Sequence, residues 1–306
     1  MTPLAAAKAK ATNNTRKIAV VKAKRKTAKS LQRPSNGMAI RTLALVVNRA
    51  KPGTETIVAE ISRVCSEVGV TLREVAWPID PKGLRGADAC CVVGGDGTFL
   101  GVAETAAREA VPMFGINRGK LGFLAAYPAD DVAASLRSVL AGQVRREERA
   151  MLEISFADGT FALALNDLVI KTRDVFRMSR LGVQADGSPV NTYRADGLIV
   201  ATPTGSSAYN LAAGGPLIDP AATVIALTPL CAHTLSNQPL IFSAEAELRI
   251  ESLDAVPLGL SVDGRPTLDA AKRLPLIVRT AKVRLGILRP SNLSHFDVLR
   301  SKLHWA

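Results

Sequence analysis

The chain has 306 residues, 47% of them apolar and 22% charged, with a formal net charge of +12. That length can bury a sizeable core in one or two domains, and no apolar run reaches the roughly 18 residues that a membrane-spanning helix needs. The charge is no sign of a nucleic-acid protein, because residues 1–37 hold seven Lys, three Arg and no acid, which leaves only +2 for the rest.

Residues 1–40 read as a basic, disordered tail. They lack the apolar stretch of a secretory signal and favour Lys over the Arg and Ser of a mitochondrial presequence. Met38 stands just before the first strand and is a candidate native start. Beyond the tail, strand and helix patterns alternate: a strand over 42–48, a helix over 54–68 with Ile57, Ile61, Val64 and Val68 on one stripe, and strands over 71–76 and 89–93. A helix reaching to about 110, a strand over 111–116 and a helix over 129–140 complete the series. This alternation predicts an α/β layer on a parallel sheet over 41–149. Cys65, Cys90, Cys91 and Cys231 lack metal-ligand spacing, and adjacent Cys90 and Cys91 point to opposite faces of a strand, so neither a metal site nor a bond between them is expected. A reducing, cytoplasmic setting fits such thiols. The three histidines are far apart.

Between the strand at 89–93 and its helix, read from Phe99, lies the turn Gly94-Gly95-Asp96-Gly97-Thr98. Glycines there allow close backbone approach, and the helix start offers free N–H groups to a phosphate. Asp96, in the middle of the turn, would repel a phosphate. It therefore points either to a metal contact or to a base acting on a neighbouring hydroxyl, as in phosphoryl transfer to an alcohol. The segment Asn117 to Leu124, NRGKLGFL, is a second glycine-interrupted strand end close by. Two such ends are what a doubly wound sheet presents at its ligand crevice.

After Arg149 the texture changes to short alternating or β-branched segments at 151–156, 160–170, 181–185, 198–201, 223–228, 246–252, 258–262 and 275–285. These predict a β-rich, sandwich-like domain over 150–289. Within it, DGLIVATPTGSSAYNLAAGGPLIDP (Asp196 to Pro220) carries a buried strand, a hydroxyl-rich turn and a short helix over 208–213. Hydroxyls and N–H groups at such a start can hold ribose or pyrophosphate, and Tyr209 can lie against a flat base. The plainer alternative makes Ser206 a helix cap and Tyr209 a core residue.

GGDGTFL, NRGKLGFL, Asn166-Asp167, DGLIVATPTGSSAY and AGGPLIDP stand in the order and approximate spacing of the NAD kinases, and the end of the chain, Phe296 to Trp305, resembles bacterial members. The resemblance covers about residues 41–306. It implies a Rossmann-like α/β domain, a β-sandwich-like second domain, and a C-terminal segment over 290–306 that packs back on the first. It also implies transfer of the ATP γ-phosphate to the 2′-hydroxyl of the adenosine ribose of NAD, giving NADP and ADP. Asp96 matches the proton acceptor, with Gly94, Gly95, Gly97 and Thr98 as the phosphate loop. NAD contacts would come from Asp96, Gly97, Asn166, Asp167, Arg177, Arg194, Asp196, Ser207, Ala208, Tyr209, Asn210, Leu211, Ala212 and Arg265. Mg²⁺ or another divalent metal would travel with ATP rather than in a cage of protein ligands. A homodimer or homotetramer is expected, with no membrane or nucleic-acid partner.

Three positions depart from the family pattern: Asp167 replaces Glu, Gln238 replaces Arg, and Arg265 replaces Gln. Arg194 resembles members that prefer NAD over NADH. The sequence leaves both ATP and polyphosphate open as donors. The alternatives are a lipid or sphingoid kinase with the same GGDG turn, which would lack the Thr204 to Ser207 segment, and a non-catalytic NADP(H)-binding module, which would lack Asp96.

Overall fold

Buried β-branched runs build the first sheet. Thr42–Val47, Ala89–Val93 and Met113–Asn117 are buried almost throughout, the pattern of parallel strands covered on both faces. The computed structural model describes residues 40–50, 53–117, 121–174, 176–267 and 270–305. The basic tail and residues 118–120 of the NRGKLGFL segment lie outside them.

The sheet runs in the order Thr71–Val75, Thr42–Val47, Ala89–Val93, Met113–Asn117, Leu285–Pro290, Val144–Arg149, with Tyr127–Pro128 beside Met113–Asn117. All pairings are parallel except the last, Leu285–Pro290 with Val144–Arg149. Helix α1 (Thr54–Val68) packs Ile57, Ile61 and Val64 on one face. Helix α2 (Asp96–Arg108) packs Phe99, Val102 and Ala106 on the other. Helix α3 (Val132–Leu140) shares the face of α1 through Val132, Leu136 and Val139. Met151, Leu163 and Leu165 join the cluster under α2, so the second layer shares a core with the first.

That second layer is a β-sandwich of two six-stranded antiparallel sheets. One runs Ser188–Ala195, Ser179–Ala185, Leu248–Ser252, Leu276–Thr280, Leu152–Ser155, Phe161–Ala164. The other runs Leu240–Ser243, Val224–Leu230, Gly197–Ala201, Asp167–Thr172, Leu258–Val262, Arg265–Thr267. Leu168, Ile170, Leu181, Leu198, Val200, Leu227 and Ile250 fill the space between them.

Two expected strands are each divided. The run over 160–170 bends at Leu165-Asn166, so that Phe161–Ala164 and Asp167–Thr172 lie in different sheets. The run over 275–285 separates into Leu276–Thr280 in the sandwich and Leu285–Pro290 in the parallel sheet. An apolar run reports burial and is blind to which sheet buries it. Val144–Arg149, Ser188–Ala195, Leu240–Ser243 and Arg265–Thr267 are strands without an expectation; they are polar or short, and lie at or next to sheet edges.

Candidate active site

The glycine turn is shorter than its sequence implies. Gly95 is extended (φ −95°, ψ −175°), and its carbonyl accepts the N–H groups of Thr98 (3.0 Å) and Phe99 (3.1 Å). Helix α2 therefore begins at Asp96, three residues ahead of the expected start at Phe99, and Asp96 opens a helix rather than sitting in mid-turn. An acid in the first turn suits the positive end of the helix dipole. Position 94 requires glycine, since a Cβ there would lie 2.6 Å from Thr98 Oγ1. Thr98 itself is buried, and its hydroxyl accepts Asn48 Nδ2 (3.2 Å); Gly94 is buried too and gives its N–H to the Ile116 carbonyl (3.1 Å), so of the expected phosphate loop Gly97 is the exposed residue. Ahead of the Thr98 and Phe99 bonds, the N–H groups of Asp96 and Gly97 have no carbonyl within the helix to bond, the arrangement that suits an anion.

Asp96 is clamped by the loop after Met113–Asn117. Phe123 N donates to Oδ2 (2.9 Å), while Leu124 N (3.1 Å) and Ala125 N (3.0 Å) donate to Oδ1. A Cβ on Gly122 would lie 2.4 Å from Oδ1, so glycine is what lets the carboxylate approach. Each carboxylate oxygen has two lone-pair directions. Among the described residues both are used at Oδ1 and one at Oδ2, so Oδ2 is the oxygen with a direction left for a substrate proton.

A similar clamp holds the sandwich side. Asp263 (φ +49°) and Gly264 (φ +74°) form the tight turn between Leu258–Val262 and Arg265–Thr267, a geometry that Asp-Gly favours. The Asp263 carboxylate accepts Leu165 N (2.8 Å), Asn166 N (2.7 Å) and Asp167 N (3.1 Å), which produces the bend between the two sheets. The Thr202 N–H bonds the Asn166 carbonyl (2.9 Å), and Gly205 sits so close that a Cβ there would be 2.1 Å from that oxygen. Asn166 Oδ1 is buried and has no hydrogen-bond partner among the described residues. Asp167 is 5% exposed, and burial followed by the neighbouring Asp263 charge pushes its carboxyl up to about 7. Burial also raises Asp263, against the pull of its three N–H donors.

These parts meet at a cleft of about 550 Å³ between α2 and the sandwich, lined by Gly97, Leu100, Asn166, Asp167, Ala208, Tyr209, Ser261, Asp263 and Arg265 among others. Six of the expected contact residues are thus brought together: Gly97, Asn166, Asp167, Ala208, Tyr209 and Arg265. Tyr209 is 41% exposed, which removes the core reading of its ring. Arg265 reaches across to Glu104 of α2 (Nη2 to Oε2, 3.2 Å).

The other expected residues lie elsewhere. Asn210, on the one-turn helix α4 (Tyr209–Ala212), is fully buried: its Nδ2 donates to the Ser206 and Pro216 carbonyls and its Oδ1 accepts Thr228 Oγ1 (2.6 Å). Ser207 Oγ turns back to the Thr204 carbonyl, at 3.5 Å. Leu211 is half-buried and Ala212 exposed on the same helix, and neither is among the residues lining the cleft. The Asp196 main-chain carbonyl accepts Thr172 N (2.8 Å), five residues along the strand from Asp167, which at strand rise is about 17 Å away. Arg194 and Arg177 are exposed, with Arg194 just before Asp196 in the chain and Arg177 N bonded to the Asp174 carbonyl. Gln238 donates to the Leu235 carbonyl (2.7 Å). The residues that sequence reading missed are Gly122, Asp263 and the N–H groups of 123–125. The Asp-Gly pair between two strands was the available signal for Asp263; backbone donors leave none. Among the described residues no group of three or more His, Cys, Asp or Glu is placed to hold a metal, and no helix is long and apolar enough to cross a membrane.

Comparison with known proteins places the chain in a family. Residues 79–144 match the family described as the ATP-NAD kinase N-terminal domain, and residues 165–289 the ATP-NAD kinase C-terminal domain. The chain is 39% identical over 225 residues to the NAD kinase of Cupriavidus pinatubonensis, covering 72% of this chain and 74% of that one. It is 34% identical over 279 residues to the NAD kinase of Chromobacterium violaceum, covering 86% and 96%. Among solved structures, yeast NADH kinase complexed with NADH superposes with a TM-score of 0.75 at 23% identity, covering 88% of this chain and 90% of that one. An NAD kinase from Archaeoglobus fulgidus in complex with ATP gives 0.74 at 24% identity, covering 86% and 98%. At those identities the two structures speak for the fold.

Proposed function

The chain belongs to the NAD kinase family, and from that premise we propose how its residues carry a phosphoryl group from ATP to NAD. The activity is phosphotransfer to an alcohol: ATP and NAD give ADP and NADP. The observation that carries the assignment of residues is the cleft itself, which joins the start of α2, next to Asp96, to Asn166, Asp167 and Tyr209 of the sandwich.

In this reading the adenosine half of NAD enters the cleft with its base against Tyr209. Asn166 Oδ1, a buried acceptor lacking a donor, takes a bond from the base or ribose; a lone polar atom of this kind is costly unless a ligand satisfies it. Asp167, near half-protonation at neutral pH, can donate to or accept from a ribose hydroxyl. The 2′-hydroxyl then lies toward Asp96. As its oxygen attacks the γ-phosphorus, the bond from that phosphorus to the ADP oxygen breaks, and the hydroxyl proton passes to Asp96 Oδ2. The free N–H groups at the start of α2 face the charge on the transferring phosphoryl group. A divalent cation, Mg²⁺ or another, comes as part of the ATP substrate. Arg265, tied to Glu104, brings positive charge to the cleft where relatives carry a neutral amide, and favours a phosphate-rich ligand.

Residues 41–149 with the returning strand Leu285–Pro290 thus serve the phosphoryl group, the sandwich strands between them the dinucleotide, and 290–306 brace the first domain. Asp196, Arg194 and Arg177 stand too far along the sandwich to reach the same ligand end. Their position supports a homodimer or homotetramer in which they meet dinucleotide bound by a neighbouring copy. A cytoplasmic setting, where NAD and ATP are available, fits this chemistry. Incubating the full chain with NAD, ATP and Mg²⁺ tests the function: NADP and ADP should appear in equal amounts, and folded protein that makes neither contradicts it.

A further inference from the structure

One of the three donors that hold Asp96 is itself held. The peptide unit joining Phe123 to Leu124 gives its N–H to Asp96 Oδ1 (3.1 Å) and its carbonyl to Arg289 Nη1 (2.7 Å). Arg289 belongs to Leu285–Pro290, far along the chain, and is 2% exposed. Gly122 to Ala125 are in no strand or helix; Leu124 and Ala125 are buried, Leu124 in the core under α2, and among the described residues their hydrogen bonds, besides Gly122 N to the Ala125 carbonyl (3.0 Å), go to Asp96 on one side and Arg289 on the other.

Arg289 is in turn kept in place by its neighbour strand. Glu147 lies 3.9 Å from its Nε and also pairs with Arg145 and Arg149, so one carboxylate serves three guanidinium groups. Arg149 extends to Thr204 Oγ1 (3.5 Å), in the turn that leads into the cleft. Removing one member of a buried charge cluster is destabilising, so Arg289 also serves the fold. Its geometry gives it a second role. A cation bonded to a carbonyl draws electron density along the peptide and strengthens the N–H of that same unit as a donor.

We propose that Arg289 is a positioning residue for phosphoryl transfer: through the single Phe123–Leu124 peptide it fixes Asp96 with Oδ2 free for the substrate proton. The role rests on the reading of Asp96 as proton acceptor, but the fixing of the peptide can be measured without turnover. Amide hydrogen exchange at Leu124, in the full-length protein and in Arg289→Lys, Arg289→Gln and Arg289→Met, reads the anchor directly. Leu124 protection should drop about tenfold in Arg289→Met and stay near wild type in Arg289→Lys, whose ammonium still donates to the carbonyl. In steady-state kinetics kcat should fall about 10- to 100-fold in Arg289→Met and less in Arg289→Gln, recover in Arg289→Lys, and leave KM for NAD within about twofold, the pattern of a loss confined to the transition state. Should Arg289→Met not fold, Arg289→Gln carries the test, since it keeps a donor and loses the charge. Unchanged Leu124 protection in folded Arg289→Met, or in Arg289→Gln where Arg289→Met does not fold, overturns the anchoring. Changed protection with wild-type kcat overturns the positioning role while leaving the function of Asp96 intact.

Discussion

Asp96 and Asp263 use one backbone device for two ends. Each carboxylate takes the N–H groups of three consecutive residues, 123–125 for Asp96 and 165–167 for Asp263. Asp263 is 6% exposed and packed beside a second buried acid, Asp167. Asp96 is half-buried at the head of a helix, adjacent to the cleft. The buried clamp spends its hydrogen-bonding capacity on bending the chain between two sheets. The half-buried one keeps a direction of Oδ2 for a ligand. The difference separates the two acids more clearly than their residue type does: Asp263 shapes the cleft, and in the proposed mechanism Asp96 works in it.

Removing the buried clamp should have the largest effect on the fold. Asp263→Ala leaves three N–H groups in a dry bend and should cost about 3–5 kcal/mol of stability, read as a lower denaturant midpoint. A variant as stable as wild type would put the bend down to the apolar packing alone. The acid beside it should write a pH dependence into stability. A carboxyl near 7 in the fold and near 3.9 in the unfolded chain binds its proton more tightly when folded, so stability falls as pH rises from about 4 to about 7, by up to about 4 kcal/mol. Asp167→Asn should remove that slope, and melting curves of the two proteins that stay parallel across the window would contradict the raised value.

Sequence carried much of this and missed a defined remainder. Periodicity located α1 and the inner parallel strands, and the glycine motifs located both halves of the cleft. Where the chain changes sheets, at Leu165-Asn166 and between Thr280 and Leu285, hydrophobicity gave no warning, because both sides of each break are buried. The start of α2 was read late because glycine opposes helix in general, whereas here Gly97 has open space around it and Gly95 supplies the first acceptor. The distance between Asp196 and Asp167 could not be read at all, since a motif has no direction until its strand is placed. Nor could the donors to either clamp, which are main-chain atoms.

Two smaller changes sharpen the working side. Gly122→Ala puts a methyl group against Asp96 Oδ1 and should lower kcat about 100-fold, close to 2.7 kcal/mol, with little change in KM for NAD. The equivalent intrusion on the buried side, at Gly205 against the Asn166 carbonyl, should show first as lost stability. Tyr209→Ala should raise KM for NAD about tenfold at nearly constant kcat, the worth of one base stacked on a ring. A change in kcat of that size instead would move Tyr209 from binding to the reaction.

The most direct test of the contrast is NADP formation by Asp96→Asn measured beside its affinity for NAD. The amide must set its NH₂ against one of the three donors, so a modest loss of melting temperature accompanies it. Turnover should fall by about 10²- to 10⁴-fold while the dissociation constant for NAD stays within about threefold of wild type. Retention of most of the turnover by that variant would contradict the account, because Asp96 would then be a second structural clamp and the chemistry would belong to another residue.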